Sequence, residues 1–131
     1  MKKLLIAFLL FAAAISASII KPVERLATEN NKVRLSRITV DSARLEEYNA
    51  YLKEEIEASM RLEPGVLVLY AVAEKERPYH VTILEIYVDE AAYKSHIATP
   101  HFQKYKKGTL EYGAVARTGR YHSTHSRLKI K

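Results

Sequence analysis

Two neighbouring segments of this 131-residue chain are apolar on both faces of the strands that they predict. The segment Val66 to Ala73 reads V-L-V-L-Y-A-V-A, and after a charged turn a second strand is predicted from Tyr79 to Val88. A strand hairpin that keeps one face in water alternates apolar with polar residues. Because neither segment alternates, both faces of the predicted sheet must be covered, and this requirement constrains the fold more than any other feature.

One layer of cover is predicted between Asp41 and Pro64, where the spacing of apolar residues is that of an amphipathic helix. Asp41 or Ser42 can cap the start of this helix, and Pro64-Gly65 ends it. A further strand is predicted before it, from Val33 to Val40, because the segment is rich in β-branched residues. The apolar stripe of the helix comprises Leu45, Tyr48, Leu52, Ile56 and Met60.

A second helical region is predicted around a joint at Thr99-Pro100. Asp89 can cap the first piece, which carries His96. Pro100 fits the first turn of the next piece, where the hydroxyl of Thr99 can accept from a free amide. Two short helices therefore meet at this point, with His96 before the joint and His101 after it.

The helices can cover one face of a four-stranded sheet but not the other. Large apolar side chains left exposed on the second face would form a patch of the size that marks an interface. The economical cover is the same sheet of a second copy. The sequence therefore predicts a homodimer.

The first 18 residues have the pattern of a secretory signal peptide, with Lys2 and Lys3, an apolar run and then small residues up to Ser18. The run is too short to span a bilayer, and without cysteine there is no lipid attachment. We expect an exported protein without a membrane anchor, periplasmic or secreted after cleavage. The predicted organisation is a signal peptide at 1–18, a lead-in at 19–32, one domain at 33–122 and a basic tail at 123–131.

Composition excludes several classes of function. The absence of cysteine excludes disulfides and thiol catalysis. The formal net charge of +6 falls to +4 without Lys2 and Lys3. The sequence has no basic patch interleaved with aromatic residues, so we do not expect nucleic acid as a partner. There is no phosphate-binding glycine loop, serine-hydrolase elbow or H-E-x-x-H helix, and His122 and His125 alone do not make a metal site. We expect no bound cofactor and no metal.

The segment Val33 to Tyr112 resembles the antibiotic biosynthesis monooxygenase (ABM) superfamily. The resemblance is carried by the E-P-G-V turn at Glu63, by Glu85 and the aromatic Tyr87, and by A-A-x-x-x-H followed by T-P-H-F. It implies an α+β fold, with a ferredoxin-like four-stranded antiparallel sheet, helices on one face, and pairing into a dimeric α+β barrel. Among its branches, the cofactor-free quinol monooxygenases are the most similar. The chain has no tryptophan, which argues against the haem-degrading branch.

The implied activity is cofactor-independent oxygenation by dioxygen of a quinol-like or polyphenolic aromatic small molecule. Such a reaction needs a base, and histidine suits this role because its ordinary pKa lies near neutral pH. The candidate catalytic residues are His96, His101 and Glu85. The candidate substrate-binding residues are Tyr87, Arg37, Asn49, Tyr70 and Phe102.

Structural roles remain open for all these residues. His96 and His101 could serve as helix-end histidines, and Glu85 could form a buried pair with Arg37 across two strands. The corresponding alternative function is an exported, non-catalytic dimer of the same fold that binds a small ligand. A purely structural dimer with a filled pocket is a third possibility.

Overall fold

The computed structural model describes residues 28–112 and, for the backbone alone, residues 115–121. The predicted signal peptide, cleavage site and basic tail lie outside the described residues, as do His122 and His125. Two short 3₁₀ turns, Ser42–Arg44 and Leu110–Tyr112, flank the helices. The main elements are β1 (Lys32–Thr39), α1 (Leu45–Leu62), β2 (Val66–Ala73), β3 (His80–Tyr87), α2 (Glu90–Ile97), α3 (Pro100–Thr109) and β4 (Val115–Tyr121).

The four strands form one antiparallel sheet in the order β2-β3-β1-β4. This is the ferredoxin-like order, and it confirms the α+β fold that the sequence predicted. The two central strands place Arg34 opposite Glu85 and Arg37 opposite Thr82. None of the described helices is long and apolar enough to cross a membrane.

The core lies between the helices and one face of the sheet. Successive side chains of a strand point to opposite faces, so alternate residues of β1, β2 and β3 face the helices. On the other face Tyr70 is 64% exposed and Val72 is 48% exposed. The buried apolar residues are Ile38, Val40, Tyr48, Leu52, Val66, Leu69, Val81, Ile83, Tyr87 and Tyr112.

The buried stripe of α1 differs from the predicted one in its second half. Met60 is 47% exposed, whereas Glu55 and Ser59 are buried beside Leu52. The Oγ of Ser59 donates to Glu55 Oε1 at 2.8 Å, which gives the buried carboxylate one partner within its own helix. The predicted stripe is therefore wrong at Met60, because the helix turns two polar residues toward the core.

The caps predicted around the joint between α2 and α3 are confirmed. Asp89 Oδ1 accepts from Ala92 N at 2.8 Å, and Thr99 Oγ1 accepts from Phe102 N at 3.3 Å. The Thr99 hydroxyl also donates to the carbonyl of His96 at 2.7 Å, so it ties the end of α2 to the start of α3. Both histidines are thereby held at fixed helix ends.

The turn after α1 packs closely against α2. A Cβ placed on Gly65 would lie 2.8 Å from the Cβ of Ala92, so this close approach requires glycine. The packing brings Glu63, the C-terminal cap of α1, to the ends of α2 and α3. Glu63 consequently lies beside His96 and His101.

Candidate functional site

A partly enclosed cavity of about 140 Å³ lies between the helices and the sheet. Its apolar side chains can hold a hydrophobic ring, and its ionisable lining residues include His96 in contact with Glu55 and Arg34 in contact with Glu85. The lining residues are Arg34, Ser36, Ile38, Leu52, Glu55, Leu69, Ile83, Glu85, Tyr93, His96, Phe102, Tyr105 and Lys106.

Glu85 is held by three neighbours on the helix-facing side of the sheet. Its Oε1 accepts from Ser36 Oγ at 2.8 Å, and its Oε2 accepts from Tyr87 Oη at 2.8 Å. Arg34 Nε lies 3.5 Å from the same Oε2. Because both oxygens already accept hydrogen bonds, Glu85 is better placed to orient its neighbours and balance the charge of Arg34 than to act as a base.

The predicted pair between Arg37 and Glu85 is wrong, because Arg34 is the arginine that contacts the carboxylate. Arg37 is exposed and lies opposite Thr82, one residue out of phase with the cavity-facing Ser36. Arg34 also donates from Nη1 to the hydroxyl of Tyr93 and stacks over its ring, with Cζ 4.5 Å from the ring centroid. A positive charge therefore borders the cavity as predicted, but it belongs to Arg34 and not to Arg37.

His96 is 2% exposed and lies between two carboxylates. Its Nδ1 is 3.1 Å from Glu63 Oε1, and its Nε2 is 3.5 Å from Glu55 Oε1. An ionised carboxylate only accepts hydrogen bonds, so Nδ1 of His96 carries a proton and donates it in a hydrogen bond to Glu63. A neutral imidazole carries one proton, so Nε2 of His96 then has none. This Nε2 faces Glu55, which lines the cavity.

His101 shares the same carboxylate oxygen, with its Nε2 2.6 Å from Glu63 Oε1. It is not among the residues that line the cavity. Burial acts to raise the pKa of Glu63, but the hydrogen bonds from His101 and His96 outweigh it and hold that pKa below its ordinary value. Glu63 is consequently ionised at neutral pH and can orient both rings.

Glu55 has the opposite behaviour. Burial raises the pKa of the Glu55 carboxyl, and the bond from Ser59 and the charge of His96 only partly offset that effect. A carboxyl with a raised pKa in contact with a histidine is a common feature of sites that move protons.

The aromatic residues predicted for the site fall into two groups. Phe102 lines the cavity, with its ring 5.0 Å from that of His96, whereas Tyr87 lies behind the cavity with its ring 5.3 Å from His96. Burial raises the pKa of the Tyr87 hydroxyl, so that this group stays protonated and donates to Glu85. Asn49 and Tyr70 instead border an open depression between α1 and β2, away from the histidines.

Three potential metal ligands also converge at the helix ends. Glu63, His96 and His101 each offer one ligand atom, and these atoms lie within 4.8 Å of one another. No motif in the sequence indicated this set, because its members come from the ends of three different helices.

Sequence reasoning missed Arg34, Ser36 and Glu55 as lining residues and Glu63 as a histidine partner. For Arg34 and Ser36 a signal existed, since they share strand parity with each other and lie two apart. The apolar stripe predicted for α1 did not include Glu55. Its burial depends on His96, which is 41 positions further along the chain and therefore gives no local signal.

The fold and the cavity together define a small α+β protein with a partly apolar cavity and paired carboxylate–histidine groups. The family model for antibiotic biosynthesis monooxygenases matches residues 33–108, which is more than half of the chain. The chain belongs to this family. A search of curated proteins finds no match.

Solved structures agree with this assignment. A Bacteroides thetaiotaomicron structure, provisionally assigned as an antibiotic biosynthesis monooxygenase, is 73% identical, with a TM-score of 0.73 over 79% of this chain and 98% of that one. A provisionally assigned Lactobacillus acidophilus monooxygenase is 27% identical, with a TM-score of 0.67 over 75% of this chain and 47% of that one. A Nitrosomonas europaea structure, 17% identical over 72% of this chain and 91% of that one, shares the fold with a TM-score of 0.67.

Proposed function

We propose that this protein is a cofactor-independent monooxygenase that acts on a quinol-like aromatic small molecule. The observation that carries the proposal is the cavity, whose lining combines apolar side chains with a histidine–carboxylate pair and an arginine. Its volume is about 140 Å³. A cavity of roughly 150 Å³ accepts benzene, so a single-ring hydroquinone fits this size better than a multi-ring polyphenol does.

The proposed first step is removal of a phenolic proton. The O–H bond of the quinol breaks, its proton passes to Nε2 of His96, and the electron pair stays on the substrate oxygen. Glu63 favours this transfer because its carboxylate accepts a hydrogen bond from Nδ1–H of His96 and thereby fixes the tautomer in which Nε2 has no proton. Arg34 borders the same cavity, and its charge stabilises the quinolate anion.

The quinolate then reduces dioxygen directly, so that the substrate supplies all the electrons. One oxygen atom enters the ring and the other leaves as water, which converts a hydroquinone into a hydroxyquinone. The stoichiometry is one dioxygen consumed for each quinol, with no external reductant. Phe102, Leu52 and Ile83 lie on the cavity wall and would exclude bulk water from the reacting ring.

The alternative is a ligand-binding protein that performs no turnover. One observation favours it, because both ring nitrogens of His96 already face carboxylates and both oxygens of Glu85 accept hydrogen bonds. Polar groups that contact one another in this way can hold a cavity in shape without chemistry.

Oxygen-electrode rates with a series of hydroquinones distinguish the two functions. If His96 is the base, His96→Ala should slow oxygen uptake by ~10² or more, the size of a general-base contribution. His80→Ala is the matched control, because His80 lies on β3 and is not among the lining residues. A melt of each variant separates a lost base from a lost fold. Ligand binding by the wild type without oxygen uptake on any hydroquinone would support the alternative and contradict the proposal.

A further inference from the structure

We propose that Glu63, His96 and His101 form a binding site for a divalent transition metal, with Zn²⁺ as the ion that fits this donor set. The ligand atoms are Oε1 of Glu63, Nδ1 of His96 and Nε2 of His101, all within 4.8 Å of one another. Two imidazoles and one carboxylate are a donor set found in zinc enzymes, where they leave a fourth position for water or substrate.

The observed separations are close to those that a metal needs. With bonds of about 2.0–2.1 Å, ligand atoms of a tetrahedral zinc site lie about 3.3 Å apart. Glu63 Oε1 is 3.1 Å from the nitrogen of His96 and 2.6 Å from that of His101. The two nitrogens lie within 4.8 Å of each other, so rotation of the side chains would bring the three atoms to zinc-bonding separations, and the ion would replace the protons that now lie between them.

The site also has the outer support that zinc-bound histidines usually have. Such a histidine commonly donates its other ring N–H to a carboxylate, which fixes the ring. His96 Nε2 lies 3.5 Å from Glu55 Oε1, and Glu55 is fixed in turn by Ser59 Oγ at 2.8 Å. His96 is also held through its backbone, since its carbonyl accepts from Thr99.

Access differs among the three ligands in a way that suits reversible binding. The side chain of His96 is 3% exposed, whereas those of Glu63 and His101 are 13% and 15% exposed. An ion would therefore reach the cluster from the side of Glu63 and His101. His96 lies between the ion and the cavity, because its other nitrogen faces Glu55.

Metal binding would change the protonation of His96, and this consequence rests on the proposed function. A metal on Nδ1 takes the position of the proton that Nδ1 now donates in its hydrogen bond to Glu63. The neutral ring must then carry its proton on Nε2, where it can donate to Glu55 but cannot accept a proton from a quinol. The metal-bound form and the form with a free base are thus mutually exclusive, and Zn²⁺ should inhibit oxygenation.

Calorimetric titration of untagged, chelator-treated protein with Zn²⁺ tests the site directly. We expect one ion per chain, and Co²⁺ should give the visible absorption of a site of low coordination number. Glu63→Gln and His101→Ala should each weaken binding by tenfold or more, with thermal melts to show that both variants fold. His80→Ala should bind as the wild type does. No binding, or unchanged binding by both ligand variants, overturns the proposal.

A second control concerns His122 and His125, which lie outside the described residues. A variant with both changed to Ala should retain the bound ion, and loss of binding in that variant alone would contradict the proposed site. Inhibition is measured separately, as oxygen uptake with and without Zn²⁺. Absence of any uptake would count against the proposed function while leaving the binding isotherm intact. If zinc binds to the cluster without slowing an active enzyme, the metal-bound form and the form with a free base at His96 are not mutually exclusive, and that part of the proposal is overturned.

Discussion

At the scale of single residues, Glu55 has the most unusual environment. It is 4% exposed, and among the described residues Ser59 and His96 are the polar groups in contact with its carboxyl. A buried carboxylate without full compensation stays protonated to a higher pH than usual. This residue therefore stabilises the fold less when it is ionised than when it is neutral.

We predict that Glu55→Gln stabilises the protein at pH 7–8 and has little effect near pH 4. Because burial raises the pKa of Glu55 above its ordinary value of 4.5, the unfolded state loses the proton first as the pH rises. The contribution of the neutral Glu55 carboxyl to the free energy of unfolding is therefore complete below pH 4.5. It decreases as the pH rises above 4.5, until the carboxyl of the folded protein has also ionised. Glutamine has no such titration, and its side-chain oxygen can still accept from Ser59.

Thermal melts of the wild type and Glu55→Gln between pH 4 and pH 8 measure this effect. Glu54→Gln is a suitable control, because Glu54 is an exposed neighbour that pairs with Lys104. A difference in melting temperature that is constant across this range would contradict the prediction.

The residues of the site were only partly predictable, and the reason is geometric. His96, Glu85 and Phe102 line the cavity as the family resemblance implied. Arg37 does not, because it lies on the face of β1 opposite to Arg34. The sequence separates the two faces of a strand, but both faces of β1 carry apolar residues, so it did not show which one meets the helices.

At the scale of elements, the joint between α2 and α3 carries the histidines and depends on one hydroxyl. Thr99 accepts from Phe102 N and donates to the carbonyl of His96. We predict that Thr99→Ala costs about 1 kcal/mol, the usual value of a lost N-cap, which is roughly 4–8 °C in melting temperature for a domain of this size.

Thr99→Ser should be close to neutral because it keeps the hydroxyl. Thr39→Ala, at an exposed position near the end of β1, is the matched control and should melt near the wild type. Equal loss in Thr99→Ala and Thr39→Ala would show that the cap contributes nothing particular.

Elements were predicted more accurately than the faces that they bury. The bounds of β2 match the prediction, and β1 and β3 differ by one residue at their ends. Local signals, such as Pro64-Gly65 and Thr99-Pro100, define these boundaries. The buried face of α1 depends instead on a distant partner, since Glu55 faces inward where His96 meets it.

At the scale of the whole molecule, the outer face of the sheet carries apolar side chains that the described helices do not cover. Tyr70 and Val72 are exposed, and Val68, Leu84 and Ile86 lie half-buried on the same face. We propose that a second copy of the chain covers this face, as the sequence predicted. A stable interface of this kind buries about 800 Å² on each partner.

We predict that Val68→Lys converts a dimer into a monomer, because a charge on the outer face of the sheet would be buried in the interface without a partner. Light scattering and sedimentation at micromolar concentration measure the mass. Met60→Lys, at an exposed position on α1, should leave the dimer unchanged. Leu69 is unsuitable for this test because it is buried and lines the cavity. A wild type that is monomeric under these conditions would contradict the prediction.

The alternation along β1 has a consequence for how this family member could diverge. Arg34, Ser36 and Ile38 line the cavity, while Leu35 and Arg37 belong to the opposite face of the same strand. Substitutions in one set can change ligand preference without disturbing the other surface. Insertion or deletion of a single residue in β1 would exchange the two sets at once. Relatives with altered specificity should therefore differ from this chain in β1 by replacement and not by length.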